Sequence, residues 1–469
     1  MSRNRPAAPG LRGEARPRDP GKSFLLTDLY QLAMMQGYLE TGETDTAVFE
    51  FFVRKLPKNR NFFVAAGLEQ VLDFLEHLHV PADELAWLGA SGHVSDDLID
   101  YLSDFRFTGD VHAMPEGTVF FPNEPVIRIT APLPEAQYVE TRLINILHFQ
   151  TLIASKAARM VMAAEGRTLV DFGLRRAHGA EAGLMAARAA YLAGFDGSAN
   201  VLAERLYGVP AFGTMAHSFV QAFDTETAAF EAFARARPER LVLLIDTYDT
   251  EEGARRVVSL APRLKESGIG ISGIRLDSGD MAALSKSVRR ILDDGGLPDV
   301  TIFASGGLDE AGIGELIASG AVIDGFGVGT SLTTASDAPA LDCAYKLQEY
   351  AGIPRRKRSE GKATWPGRKQ VWRRFDKTGR MVGDIISVHD DDLDGSKMID
   401  CVMRNGKRLA PPRSLDEIRG HMSTQINTLP KDLAGLGAAR HYPVSVAEAL
   451  TDLAASVDRR IDRSLCRAP

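Results

Sequence analysis

The 469-residue chain is 45% hydrophobic and 25% charged, ordinary proportions for two or three globular domains, and this excludes a small disulfide-stapled fold. Acidic residues outnumber basic ones 62 to 55, a net charge of −7 that argues against general nucleic-acid affinity. No apolar run reaches the ~18 residues of a membrane span, and Cys343, Cys401 and Cys466 form no C-x-x-C pair, so a reducing, cytoplasmic setting without a zinc knuckle is expected.

Residues 1–22 are rich in Arg, Pro and Gly and lack the apolar stretch of a secretory signal, so they read as a disordered tail. Order is expected from Ser23. Leu25, Leu29, Leu32, Met35 and Tyr38 then recur at helical spacing, with Thr27 or Asp28 as a cap and Gly42 as the exit. A strand is predicted from Thr46 to about Arg54 and a helix from Gly67 to Leu78, so residues 23–134 form an α+β unit.

A long helix is predicted from Glu135 to Ala164, and the pattern then changes to short apolar strands that each finish in a small polar cluster. These strands run over 168–170, 241–245, 271–276, 300–304 and 322–326, ending before Asp171, Asp246, Asp277, Ser305 and Gly327. From Asp246 onward the ends are spaced by 31, 28 and 22 positions, each close to one βαβ step, so residues 135–340 read as a parallel α/β barrel or open sheet. Beyond it, residues 341–469 contain a strand in ALDCAYKLQEY, a Gly- and Pro-punctuated stretch with ten basic and two acidic residues, and a strand in MVGDIISVH. They read as chain returning to the first domain.

Parallel βα folds place their sites at the carboxyl ends of the strands. There, Ser305-Gly306-Gly307 and Gly327-Val328-Gly329-Thr330-Ser331 read as two successive phosphate loops, although a lone Gly-rich turn is often only a turn. Asp246 and Asp277 occupy matching strand ends, where a carboxylate holds ribose hydroxyls or a magnesium-bound diphosphate; each alone reads equally as a helix cap. Arg275, a charge at the end of an apolar strand, suits an anion better than packing. In GVPAFGTMAHSFVQAF, Thr214 is placed to cap a short helix with His217 in its first turn, beside a stripe of Phe219 and Phe223. A histidine at such an amide-rich entrance is suited to accept a phosphoryl group, though a lone helical His is usually just solvated. Arg175 and Arg176 precede a helix from about Glu181 to Leu192, either as an anion site or as a surface pair. Tyr30 fits the core or, alternatively, a stack on a flat heterocycle. No histidine pair has metal-ligand spacing, and no protein metal ligands are assigned.

Taken together, LLTDLYQLAMMQGY, DFGLRRAHG, GFDGSANVLAERLYGVPAFGTMAHSF, LLIDTYDT, RLDSGD, GFGVGTSL and SEGKATWPGRKQVWR resemble the nicotinate phosphoribosyltransferase family, in the family's order and over nearly the whole chain. The resemblance implies an incomplete α/β barrel joined to an α+β sandwich built from N-terminal and C-terminal chain. It implies ATP-coupled transfer of phosphoribosyl from phosphoribosyl pyrophosphate to nicotinate, in NAD salvage, with magnesium carried by the substrates. It further implies His217 as phosphohistidine and Tyr30, supported by Asp28, stacking on nicotinate from the neighbouring subunit of a homodimer. Thr214, Arg275 and Arg175 fall on nicotinate-contacting positions, Asp246 and Asp277 on the ribose and diphosphate, and Gly306, Gly307, Gly329 and Thr330 on the 5-phosphate loops.

The nicotinamide enzyme of the same superfamily places Asp where Ala199 stands here, so the acid is favoured over the amide. The family often has Ser at that position and a more polar residue at Gly307. Two other readings compete: a nucleic-acid surface on the basic stretch from Arg355 to Lys377, with Trp365 and Trp372, and a phosphate-binding barrel lyase or isomerase. A charge run is usually a solvated face, and no strand-end lysine is available for a Schiff base.

Overall fold

The computed structural model describes residues 20–466; the expected tail lies outside them except for Pro20–Lys22, a single 3₁₀ turn. At the centre is a six-stranded parallel sheet in the order Gly197–Ser198, Thr168–Asp171, Gly325–Val328, Thr301–Ser305, Ile271–Leu276, Leu241–Leu244. In chain order this is 2-1-6-5-4-3, the circular order of a βα barrel left open between its second and third strands. The chain crosses that opening at 210–221: Ser198 N–H donates to Pro210 O (3.0 Å) and Phe212 N–H to Ser198 O (2.9 Å), prolonging the sheet edge. An incomplete barrel, as expected, thus has its gap covered by the segment that carries His217.

The second unit is a seven-stranded sheet that interleaves distant chain: Ile353–Pro354, Cys343–Tyr350, Thr46–Val53, Ile127–Pro132, Asp110–Ala113, Asp400–Arg404, Lys407–Arg408. Within it, Thr46–Val53 is antiparallel to both neighbours, with Phe49 opposite Ile129 on one side and Leu347 on the other. Beside it lies a four-stranded sheet formed by Ser396–Lys397, Lys369–Phe375, Met381–Val388 and Val444–Val446. N-terminal and C-terminal chain therefore build one sandwich.

The helix Glu140–Ala164 joins the two units and is buried on nearly every side, the signature of a core helix rather than a surface one. It packs against the helices Ala180–Leu192 and Glu310–Ala318, the short helix Thr330–Thr333 and the strand Phe63–Val64. Among the described residues, no helix is long and apolar enough to cross a membrane.

Three expectations are corrected. The predicted helix from Glu135 is two helices, Leu133–Tyr138 and Glu140–Ala164, meeting at Val139. The predicted strand over 322–326 is displaced to Gly325–Val328, because Asp324 leaves Val322 outside the sheet by pairing its own N–H with Ile302 O (2.8 Å) and its carboxylate with Ile302 N–H (2.8 Å). The basic stretch is not wholly the solvated face expected of a charge run: Lys369–Phe375 pairs along its length with Met381–Val388, and buried Arg373 is neutralised by Asp384 at 2.6 Å.

Candidate active site

Each of three successive barrel helices is capped by an aspartate beyond the strand-end position. Asp249 accepts from Glu252 N–H (2.8 Å), Asp280 from Ala283 N–H (3.0 Å) and Asp309 from Gly312 N–H (2.9 Å). Capping is therefore assigned to these three residues, and Asp246 and Asp277 are left for other work.

Asp246 is buried. Its Oδ2 accepts from Asp277 N–H (2.9 Å) and from Ser278 Oγ (2.7 Å), while its Oδ1 has no hydrogen-bond partner. Asp277 accepts from the buried Ser305 hydroxyl through Oδ1. His217 Nε2 stands 4.0 Å from Asp246 Oδ1 and 4.0 Å from Asp277 Oδ2, and its Nδ1 is 3.1 Å from Thr247 Oγ1. If Thr247 accepts a proton from Nδ1, the lone pair of Nε2 faces the two carboxylates.

Thr214 does not cap the His217 helix. The cap position is Ala216, with no side-chain bond, and the helix His217–Gln221 is only five residues long, so its dipole is small. The Thr214 hydroxyl instead accepts from Arg275 Nη1. Burial pulls the Arg275 guanidinium below its usual range; Asp277 and Asp246 oppose that shift, and Arg175 reinforces it from the exposed turn Leu174–Arg176.

The two glycine loops meet. Gly306 (φ +100°) has its Cα so close to Asp277 that a Cβ would lie 2.2 Å from the Asp277 carbonyl oxygen, and Gly307 (φ +67°) has open space where a Cβ would be. Gly329 caps Thr330–Thr333, Thr330 is exposed, and Ser331 Oγ donates to Leu308 O (2.6 Å), tying the second loop to the first.

Tyr30 and Asp28 stand apart from these groups. Tyr30 is 48% exposed and donates to Glu140 at 3.2 Å, and Asp28 accepts from Thr141 Oγ1 at 2.9 Å. Partial burial of the hydroxyl and then the Glu140 charge push Tyr30 up to about 12. Tyr30 is therefore a surface residue rather than core, held against the helix Glu140–Ala164 by its bond to Glu140.

Sequence reasoning missed Thr247, Ser278 and the buried Asp171. Asp171 accepts from Ser198 Oγ (2.7 Å) and Gly173 N–H (2.8 Å), next to Ala199, and burial raises its pKa. A usable signal was present: Asp246-Thr247 and Asp277-Ser278 repeat an acid–hydroxyl dyad at adjacent strand ends.

Behind Thr214 a cavity of about 690 Å³ runs through the half-barrel, lined by Phe172, Phe212, Phe303, Val170 and Val242 and reaching Arg237 and Asp324 at the strand starts. His217, Asp246 and Asp277 do not line it; the polar chemistry lies at the opposite, carboxyl ends of the strands. Among the described residues, no group of three or more His, Cys, Asp or Glu side chains is placed to hold a metal ion. The donor set nevertheless suits a hard cation shared with a substrate: Asp246 Oδ1 is buried and unpartnered, and Asp277 Oδ2 faces the same space.

Family models for nicotinate phosphoribosyltransferase match the chain in three parts: the N-terminal domain over residues 25–148, the family model over 167–353 and the C-terminal domain over 392–454. A nicotinate phosphoribosyltransferase of Mycobacterium tuberculosis is 51% identical over 428 residues, covering 90% of this chain and 91% of that protein. The Bacillus subtilis nicotinate phosphoribosyltransferase is 41% identical over 386 residues, covering 80% and 78%. Among solved structures, human nicotinic acid phosphoribosyltransferase superposes with a TM-score of 0.83 at 27% identity, covering 92% of this chain and 100% of that one.

Proposed function

The chain belongs to the nicotinate phosphoribosyltransferase family, and from that premise we propose that it transfers the phosphoribosyl group of phosphoribosyl pyrophosphate to the ring nitrogen of nicotinate. The products are nicotinate mononucleotide and pyrophosphate, which feed NAD salvage. The observation that carries this reading is the convergence of Arg275, Thr214, Asp246, Asp277 and His217 at one end of the half-barrel, with two glycine loops alongside.

The C–O bond to the diphosphate breaks and a C–N bond forms. The ring nitrogen of nicotinate already has a lone pair, so no base is required, and the chain's task is to position the reactants and stabilise charge. Arg275, with Arg175 nearby, complements the nicotinate carboxylate, and Thr214 fixes the guanidinium. Asp246 and Asp277 stabilise the cation-like ribosyl carbon and are the residues that would hold magnesium. When bound, magnesium neutralises charge on the departing diphosphate. The open face of Gly307, beside the tight turn at Gly306, and the amides before Thr330 receive the 5-phosphate.

ATP coupling runs through His217 in this proposal. Nε2 attacks the γ-phosphorus of ATP, an N–P bond replaces the P–O bond to ADP, and hydrolysis later regenerates the imidazole. Thr247 Oγ1 lies 3.1 Å from Nδ1, and by accepting from Nδ1–H it would leave the Nε2 lone pair free to attack.

A homodimer completes the site. Leu26, Leu29 and Tyr30 are exposed on one surface, and Leu174, Val201, Leu202 and Leu206 on a second surface, next to the barrel mouth. Exposed apolar residues grouped in this way favour association, and joining the two surfaces would bring Tyr30 to the neighbour's nicotinate. Purified protein incubated with nicotinate, phosphoribosyl pyrophosphate and magnesium, with and without ATP, tests the proposal. Nicotinate mononucleotide is expected in both conditions and faster with ATP. No product, or preference for nicotinamide, overturns it.

A further inference from the structure

Behind the glycine loops lies a buried ionic cluster that the reaction as described does not use. Glu310 is the first residue of the helix that follows Gly306-Gly307, and Asp337 follows the short helix opened by Gly329. Lys156, on the central helix, bridges them, with Nζ 2.6 Å from Glu310 Oε2 and 2.8 Å from Asp337 Oδ1. Arg60 reaches the same pair from the sandwich, donating to Asp337 at 2.7 and 3.1 Å and lying 3.7 Å from Glu310. Arg159 donates to Glu310 at 3.1 Å. The Arg60 and Lys156 side chains are each 2% exposed.

Two features distinguish this cluster from an ordinary structural cross-link. Both carboxylates belong to the loop–helix segments of the two glycine turns, while all three cations come from outside the parallel sheet, so the cluster links the two segments to each other and to the rest of the molecule. Three cations against two carboxylates also leave it cationic at the back of a place where an anion would sit. Burial alone would raise Asp337, yet the hydrogen bonds and charges of Arg60 and Lys156 carry it down to about 2. Desolvating this many charges is costly, and such clusters are best accounted for by the geometry they specify.

We propose that Lys156 and Arg60 are positioning residues for phosphoribosyl pyrophosphate: they hold Glu310 and Asp337, and with them the two glycine loops, at the spacing that receives the 5-phosphate. The inference rests on the reading of those loops given above. It is tested by steady-state kinetics on full-length Lys156→Met, Arg60→Met and Lys156→Arg, with Gly307→Asp as a probe of the loop itself. Lys156→Met and Arg60→Met each raise the KM for phosphoribosyl pyrophosphate roughly tenfold and move that for nicotinate less than about twofold, and Lys156→Arg recovers most of the loss. Should Lys156→Met fail to fold, Arg60→Met carries the same test. Equal changes in both KM values, or none in the first, overturn the positioning role while Gly307→Asp still raises the first. If Gly307→Asp has no effect on it, the loop assignment fails and the inference fails with it.

Discussion

Arg275 donates through Nη1 to the hydroxyl of Thr214, while its buried Nε has no hydrogen-bond partner. A guanidinium fixed at one corner with a free donor at another is prepared for a planar carboxylate. Arg275→Leu is expected to raise the KM for nicotinate roughly 30- to 100-fold, the value of a charge-assisted pair, and Thr214→Val about fivefold, the value of one hydrogen bond. Initial rates against nicotinate concentration check both. An unchanged KM for Arg275→Leu removes it from the acid-binding role.

His217→Ala should abolish stimulation by ATP and trapping of labelled phosphate. The side chain is 38% exposed, so the substitution should alter stability by no more than about 0.5 kcal/mol. Label retained on the variant would place the phosphoryl group elsewhere.

Gly306 and Gly307 both have positive φ, but only Gly306 is blocked, by the Asp277 carbonyl oxygen at 2.2 Å from a Cβ. Gly306→Ala is expected to cost about 2–3 kcal/mol and to displace Asp277, whereas Gly307→Ala costs about 1 kcal/mol from its backbone alone. Denaturant unfolding alongside kcat separates the two.

His112 lies in the sandwich with its ring 5.6 Å from that of His389 and its Nδ1 buried without a partner. Burial, then Arg128 and His389, push it down to about 4, against small opposition from Asp110. A depressed histidine binds fewer protons folded than unfolded between about pH 4 and 6.5, so its contribution is fully present above pH 6.5 and is lost as pH falls toward 4. The melting temperature of the wild type should therefore fall from pH 7.5 to 5 more steeply than that of His112→Gln. Parallel slopes would refute the assignment.

Shared sites make a further demand. Co-expressed Tyr30→Ala and His217→Ala chains should regain ATP-stimulated activity that neither has alone, because a mixed dimer contains one site with both residues intact. Lack of recovery in a purified mixed dimer would place Tyr30 outside the neighbour's site.

The barrel was readable because the strands Thr168–Asp171, Leu241–Leu244, Ile271–Leu276 and Thr301–Ser305 each end at or just before an aspartate or a serine, and that grammar placed Asp246, Asp277 and the glycine turns at the carboxyl ends. What escaped reading depends on distant partners. Thr214 is the natural cap by local grammar, but Arg275, 61 positions away, takes its hydroxyl. Val322 belongs to an apolar run, yet the two bonds from Asp324 to Ile302 start the strand later. The charges of Arg60, Lys156 and Glu310 carry no local pattern at all, since their proximity is a product of the docking of the sandwich on the barrel.

The interleaving of the seven-stranded sheet has a consequence for biosynthesis. Thr46–Val53 leaves the ribosome early, but its neighbour Cys343–Tyr350 follows nearly three hundred residues later. Through most of translation an apolar strand has one unpaired edge, a template for wrong pairing between nascent chains. The parallel half-barrel, whose strands all lie between, can assemble first, and chain release rather than collapse then sets when the sandwich closes.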